Sequence, residues 1–333
     1  MTFRGQKFFL FALLCFVSDS ALARGGQPPS ETPGEKSPTP ASMATLGDSI
    51  TAGALANYTL KSWKNPFEFF EILNKLVDAY KTKSLAQLEA RELTWGTGDK
   101  ERSIVNSHTK RLTRLKQNWR DDGYRTFFSY NGAESGKTSL EVWSEQVEPM
   151  LEWSRKTLQQ GAPDYVAILV GANDLCVSGD EVPTSPAQFE QAISSILTKV
   201  YEANPKSKIL ISEIPNIAQL WDRHKDYRIS SFPGARTCRE LWKKLKFCDN
   251  FLSDDEGLRR QASKSLQEFN AIISRVVQQK IESGISVRVG AGVYDHAIDE
   301  EHISVDCFHP TELGQKMISD VTWKSTAWAG LTE

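Results

Sequence analysis

A short apolar run in this chain ends in an acid and a serine, Leu46-Gly47-Asp48-Ser49-Ile50-Thr51-Ala52-Gly53. A serine at the carboxyl end of a strand, with a helix about to start, presents its hydroxyl and its own backbone N–H where α/β folds hold reacting groups. Gly-Asp-Ser is also ordinary turn and cap chemistry, so Ser49 needs partners before it means anything. Three later stretches provide them: Asn131-Gly132-Ala133-Glu134-Ser135-Gly136, Gly171-Ala172-Asn173-Asp174 and Asp306-Cys307-Phe308-His309-Pro310. A hydroxyl becomes a nucleophile when a base takes its proton, a third group orients the base, and donors await the developing oxyanion. His309 offers an imidazole, the side chain whose ordinary titration lies near neutrality. Asp306, three residues earlier, can accept from Nδ1 and leave Nε2 free for Ser49. The backbone N–H groups of Ser49 and Gly136 and the side-chain amide of Asn173 are the expected oxyanion donors, glycine at 136 permitting close approach. Asp48, adjacent to the serine, points elsewhere and is expected to hold the turn. This chemistry is acyl transfer through serine; it calls for no metal or cofactor, and turnover should rise with pH as the imidazole loses its proton.

The elements that must position these groups can be read from periodicity. Strands are predicted at Met43 to Leu46, Thr126 to Tyr130, Tyr165 to Val170, Ile209 to Ile214 and Val287 to Val289. The continuous apolar run at Tyr165 is of the kind a strand buried on both faces needs. Helices are predicted after Asn65-Pro66, from Ser84 with Gln87 as a capping box, around Leu140, Trp143 and Val147 with a kink or stop at Pro149, from Ser185, from Ser253 with Glu256 to Gly284, and after Pro310. Arg91 to Asp122 is charged and poorly periodic. Five strand–helix cycles imply a doubly wound α/β/α sandwich, flavodoxin-like, around a five-stranded mostly parallel sheet. In such sheets ligands bind beyond the carboxyl ends of the strands, where all four motifs fall.

Gly47-Asp48-Ser49, Gly136 in Asn131-x-Ala133-x-x-Gly136, Gly171-x-Asn173-Asp174 and Asp306-x-x-His309-Pro310 resemble, in order, the four signature blocks of the SGNH, or GDSL-type, hydrolases. The resemblance spans roughly residues 43 to 325. Gly171 to Cys176 and Trp95-Gly96-Thr97-Gly98 are similar to the phospholipase B-like branch. It implies Ser49 as nucleophile, Gly136 and Asn173 as oxyanion donors, Asp306 and His309 as the rest of a triad, and a lipidic ester as substrate. An acetylated polysaccharide is the second substrate class.

The amino terminus reads as an export signal over residues 1–23: Arg4 and Lys7, an uncharged run from Phe8 to Val17, then Ala21-Leu22-Ala23. Residues 24–42 hold five of the fourteen prolines and no large apolar side chain, the composition of a disordered tether. The remainder, 43–333, is expected to be one hydrolase domain with insertions at about 60–125 and 217–250. After the cut, 38 basic and 41 acidic residues remain, a balance of −3 that gives no field for nucleic acid and leaves only peripheral contact with lipid surfaces. Cys176, Cys238, Cys248 and Cys307 then form an even set, which favours two disulfides in an oxidising compartment. Of the three pairings, Cys238 with Cys248 is the easier by proximity, leaving Cys176 with Cys307.

Two other classes compete. Gly132 to Thr138 follows a strand and opens a helix as a phosphate loop does, but its G-x-x-x-G-K-T spacing is one residue short. Trp63, Trp95, Trp119, Trp221 and Trp242, all in or near the insertions, could grip a sugar or lipid in a protein that only binds. Asp295-His296 and His302 are rival acid–base groups, whereas His108 and His224 attract no role.

Overall fold

The computed structural model describes residues 39–59, 66–82, 85–118, 126–229 and 237–331. The predicted export signal, most of the tether, Trp63, Trp119 and the caps at Asn65 and Ser84 lie outside them. In chain order the elements are β1 (Ser42–Gly47), α1 (Ser49–Ala52), α2 (Pro66–Thr82), α3 (His108–Asn118), β2 (Phe128–Asn131), α4 (Ser139–Glu141), α5 (Val147–Leu158), β3 (Tyr165–Leu169) and α6 (Ala172–Leu175). They continue as α7 (Pro186–Ala203), β4 (Lys208–Ser212), α8 (Gln219–His224), α9 (Cys238–Leu245), α10 (Asp249–Leu252), α11 (Glu256–Glu282), β5 (Val287–Gly290) and α12 (Glu312–Trp323).

Alternation along the strands decides the layers. Ala44, Leu46, Val166 and Ile168 point to one face and pack beneath α5, α7 and α11, where Phe189 stacks on Phe269 with ring centroids 4.2 Å apart. Met43, Tyr165, Ala167 and Leu169 point to the other face, against Leu112 and Leu115 of α3 and Ile318 and Trp323 of α12. With both faces covered, the central strands cannot alternate apolar with polar, which is why Tyr165–Leu169 is apolar throughout. The sheet order is β2-β1-β3-β4-β5 and every neighbouring pair is parallel, so the expected sandwich is present and the sheet is wholly parallel. Registers such as Gly47 opposite Leu169 bring the ends of β1 and β3 side by side.

Several local expectations give way to tertiary packing. Helix α3 lies inside the stretch that read as poorly periodic, because the only apolar side chains on its buried face are Leu112 and Leu115, the others there being the polar His108 and Thr109. Only a 3₁₀ turn, Ala86–Leu88, follows where a helix from Ser84 was expected. Leu140 and Trp143 are exposed, at 38% and 37%, while Val142, Gln146 and Val147 are buried. The cause is a π turn at Val142–Gln146, whose wider winding puts residues five apart on one face. Pro149 does not end the helix, which runs on to Leu158; the irregularity sits just ahead of it. Asp255, not Ser253, caps α11, its carboxylate accepting from the Leu258 N–H at 3.0 Å.

The disulfides are Cys176–Cys248 and Cys238–Cys307, so the expected Cys238–Cys248 and Cys176–Cys307 pairs do not form. Cys238 opens α9 and Cys248 lies beyond its other end. Eight helical residues rise about 12 Å, further than a disulfide can span between Cα atoms. Sequence proximity was misleading because the intervening residues are helical.

Candidate active site

Each motif is seated at the carboxyl edge of the sheet by its own local device. Gly47 ends β1 with φ of 150°, and a side chain there would bring its Cβ to 2.0 Å from the Leu169 carbonyl oxygen. Only glycine lets the chain turn so close to β3. Asp48 then caps α1, its Oδ1 accepting from the Ile50 N–H at 3.0 Å, which leaves Ser49 as the first helical residue. Gln146, turned inward by the π turn, clamps both polar groups of Gly47: Oε1 accepts from its N–H and Nε2 donates to its carbonyl, each at 2.9 Å.

Ser49 Oγ lies 2.8 Å from His309 Nε2, and His309 Nδ1 lies 2.5 Å from Asp306 Oδ2. With a carboxylate as its neighbour, Nδ1 carries the proton and Nε2 is left to accept from the serine hydroxyl. The residues are almost closed off: Ser49 is 4% exposed, His309 2% and Asp306 0%. Asp306 folds back on its own loop, Oδ1 accepting from the N–H groups of Phe308 and His309 at 3.0 Å each. Cys307, between them, adopts φ of 61°, the left-handed conformation this tight turn requires. Burial by itself would raise the Asp306 carboxyl, but the imidazole and these donors outweigh it and hold the group below the usual carboxylate range.

A second network holds the residues expected to donate to an oxyanion. Gly136 has φ of 83°, and the N–H groups of Ser49 and Gly136 have no protein acceptor among the described residues. Asn173, on the first turn of α6, donates one Nδ2 proton to the Lys137 carbonyl at 3.1 Å, and the other remains available. Asp174 ties the two loops together, accepting from Ser139 N–H at 2.8 Å and Ser139 Oγ at 2.6 Å. Glu89 Oε1 accepts from Ser135 N–H and Oγ at 3.1 and 2.8 Å, fixing the residue before Gly136.

The rival groups are elsewhere. His296 and His302 face each other at 5.9 Å and make no contact with Ser49. His108 is wedged between the Tyr165 hydroxyl at 2.8 Å and Thr322 Oγ1 at 3.0 Å, and burial pushes it down to about 3, so it is a neutral core histidine. His224 donates from Nε2 to the Ile298 carbonyl at 2.7 Å. Lys137, the lysine of the phosphate-loop-like stretch, is held by Glu145 at 2.5 Å with Glu134 and Glu141 nearby, an acidic setting hostile to a phosphate. Trp95, Trp221 and Trp242 are buried, which removes them as an exposed platform. Among the described residues no group of three or more His, Cys, Asp or Glu side chains is arranged to hold a metal, and no helix is long and apolar enough to cross a membrane.

Sequence reasoning missed a side-chain contact with Asp306: the Tyr80 hydroxyl, from α2, donates to Asp306 Oδ2 at 2.9 Å. It missed Gln146, Glu89 and Trp242 too, the last donating from Nε1 to the Asp306 carbonyl at 3.2 Å. Each is a single residue far from its partner in sequence, and only the helical spacing of Tyr80 with Leu76 gave any signal.

The family model for GDSL-like lipase/acylhydrolase matches residues 43–321. Among solved structures, the chain is similar to a family 3 carbohydrate esterase from Clostridium thermocellum at 15% identity and TM-score 0.44, over 88% of this chain and 98% of that one. It is similar to a phospholipase A1 from Streptomyces albidoflavus at 14% identity and TM-score 0.40, over 86% and 100% of the two chains. An extracellular lipase from Streptomyces rimosus gives 14% identity and TM-score 0.40 over 86% and 99%. No curated protein matches the chain.

Proposed function

The chain belongs to the GDSL-like lipase/acylhydrolase family and is an ester-hydrolysing enzyme, and from that premise we propose that it cleaves lipidic carboxylic esters through an acyl-enzyme on Ser49. The observation that carries this reading is the unbroken line Ser49 Oγ, His309 Nε2, His309 Nδ1, Asp306 Oδ2, with contacts of 2.8 and 2.5 Å. Ser49 Oγ attacks the ester carbonyl as its proton passes to Nε2, and Asp306 stabilises the imidazolium. Negative charge moves to the carbonyl oxygen, which receives the Ser49 and Gly136 N–H groups and the spare Asn173 proton. Collapse breaks the bond to the alcohol, which leaves with the proton from Nε2. Water then attacks the acyl-enzyme, giving its proton to the same nitrogen, and Ser49 is released with the free acid. The residues around the base favour an apolar acyl group: Phe247 lies 6.4 Å and Phe308 5.1 Å from the His309 ring, centroid to centroid.

The same proposal takes residues 1–23 as an export signal, 24–42 as a tether and 43–333 as the catalytic domain, delivered to an oxidising compartment that keeps both disulfides closed. The test is a panel of short-chain and long-chain esters, phospholipid and acetylated glycan, run on the mature protein and on Ser49→Ala side by side. Turnover of long-chain esters that falls by roughly 10⁴-fold or more in Ser49→Ala is expected. Retained activity in the variant would sink the nucleophile, and turnover confined to acetyl groups would replace the lipid by a glycan ester.

A further inference from the structure

The triad acid has one bond more than a three-residue relay needs. Asp306 Oδ2 accepts from His309 Nδ1 at 2.5 Å and from the Tyr80 hydroxyl at 2.9 Å, while Oδ1 is taken by two backbone N–H groups. Tyr80 comes from the last turns of α2, in the first insertion, 226 residues from Asp306 in sequence. The helix is seated for this contact: Leu76 and Ala79 pack with Leu55, Leu88 and Val305, beside the serine loop and the base loop together. The Tyr80 ring meets Phe247 edge-on at 4.9 Å, and Phe247 meets Phe308 edge-on at 4.6 Å, so residues from both insertions close over Asp306 and His309. The hydroxyl can only donate here. Burial and the neighbouring carboxylate push its own ionisation well above the ordinary tyrosine range.

We infer that Tyr80 is a positioning residue for catalysis, its hydroxyl fixing the orientation of the Asp306 carboxylate and drawing off part of the charge that faces His309. The inference rests on the triad reading of Ser49, Asp306 and His309. A carboxylate shared between two donors at one oxygen is less free to rotate and less strongly basic toward the imidazole. Removing the tyrosine donor concentrates the carboxylate charge on the Asp306 oxygen that faces His309, favours the imidazolium, and leaves the carboxylate a wider range of angles. The titratable groups that share a field with this imidazole are Asp306, Asp48 beneath the serine and, through Asp306, Tyr80.

Tyr80→Phe in the full-length protein keeps the ring contacts with Phe247 and deletes only the hydroxyl. Three readings are expected together: kcat about tenfold lower with KM within about twofold, the ascending limb of kcat/KM against pH moved to higher pH, and a displaced low-field proton resonance of His309 Nδ1–H. Unchanged kcat, pH limb and resonance in the variant would overturn the inference. So would a lower melting temperature with the limb and the resonance unmoved, since that is a packing role only. The proton resonance does not depend on turnover, so if Ser49→Ala proves active the triad reading fails on that result, separately from the position of Tyr80.

Discussion

The two halves of the site are held in place by different means. Ser49 and Asn173 follow β1 and β3, which are hydrogen-bonded neighbours with Gly47 opposite Leu169, so the sheet itself puts the proposed nucleophile and a proposed oxyanion donor side by side. The base half has no such support. Asp306 and His309 come after β5, three strands away from β1 in the sheet order, on a loop that must travel back to the serine. That loop is fastened from outside the sheet: by Cys238–Cys307, by Trp242 and Tyr80 on Asp306, and by Ser304 Oγ donating to the Leu55 carbonyl at 2.9 Å in the serine loop. A strand end fixes a reacting group through backbone geometry, whereas a long return loop needs side chains and cross-links from other segments. Errors in the two halves should therefore have different signatures.

The largest effect short of removing the triad itself is expected on the sheet-edge half. Asn173→Ala deletes a proposed oxyanion donor, and kcat should fall by roughly 10²- to 10³-fold with KM little changed. Its neighbour Asp174 still ties the loop to Ser139, so the fold should hold. Steady-state kinetics on a long-chain ester reads this directly. A loss carried by KM would mean that Asn173 binds ground-state substrate and that the two halves are not divided as described.

The disulfides separate the halves further, because each staples one of them. Cys176–Cys248 closes a loop of 72 residues beside Asn173, and Cys238–Cys307 closes one of 69 beside Asp306. The chain-entropy account gives each a stabilisation of about 4 kcal/mol at most, nearly equal because the loops are nearly equal. Denaturant midpoints of Cys176→Ser/Cys248→Ser and Cys238→Ser/Cys307→Ser should therefore fall by similar amounts. Their activities should not. Asn173 retains the Asp174 network and its bond to the Lys137 carbonyl, so turnover per folded molecule should stay within two- to threefold. The base loop loses its cross-link at the residue next to Asp306, and kcat should fall about tenfold. Equal activities would show that Tyr80, Trp242 and Ser304 suffice to hold the loop.

The same division explains what could be read from the sequence. The sheet edge was legible because its signals are local: the apolar run Tyr165–Leu169, the glycines at strand ends, and polar residues just beyond them. His309 and Asp306 were legible by their spacing, since an acid three residues before a histidine can fold back within one turn. What fastens them was not. The Cys238–Cys307 bridge runs counter to sequence proximity because α9 separates Cys238 from Cys248. Tyr80 is one aromatic among several on an amphipathic helix, and nothing in its spacing distinguishes a packed ring from one whose hydroxyl reaches a carboxylate. Gln146 depended on a π turn that shifts the helix phase, which a 3.6-residue period cannot anticipate.

The smallest effect on activity, and the clearest contrast in electrostatics, concerns Asp48 and Asp306, a buried carboxyl from each half. Asp306 is held below the usual range by its donors, while burial pushes Asp48 up to about 7, against the Ile50 N–H and the nearby His309, which pull it down. Asp48 Oδ1 has the Ile50 N–H, but Oδ2 has no partner among the described residues. A folded value above the unfolded one means that the native state keeps a proton which the unfolded chain releases. Stability contributed by Asp48 is therefore full below about pH 4 and declines as the pH rises to about 7, after which it is level. Asp48→Asn keeps the acceptor for the Ile50 N–H and removes this titration. The variant should melt higher than the parent at pH 8, the gain should shrink to nothing toward pH 4, and kcat/KM should stay within a few-fold. Asp306 has the opposite slope, since its depressed value contributes stability above the unfolded carboxyl range that is lost as the pH falls through the folded value. A variant Asp48→Asn that melts lower than the parent at pH 8 would mean that the charged form is stabilised beside Ser49, and the nucleophile half would then depend on side-chain charge as the base half does.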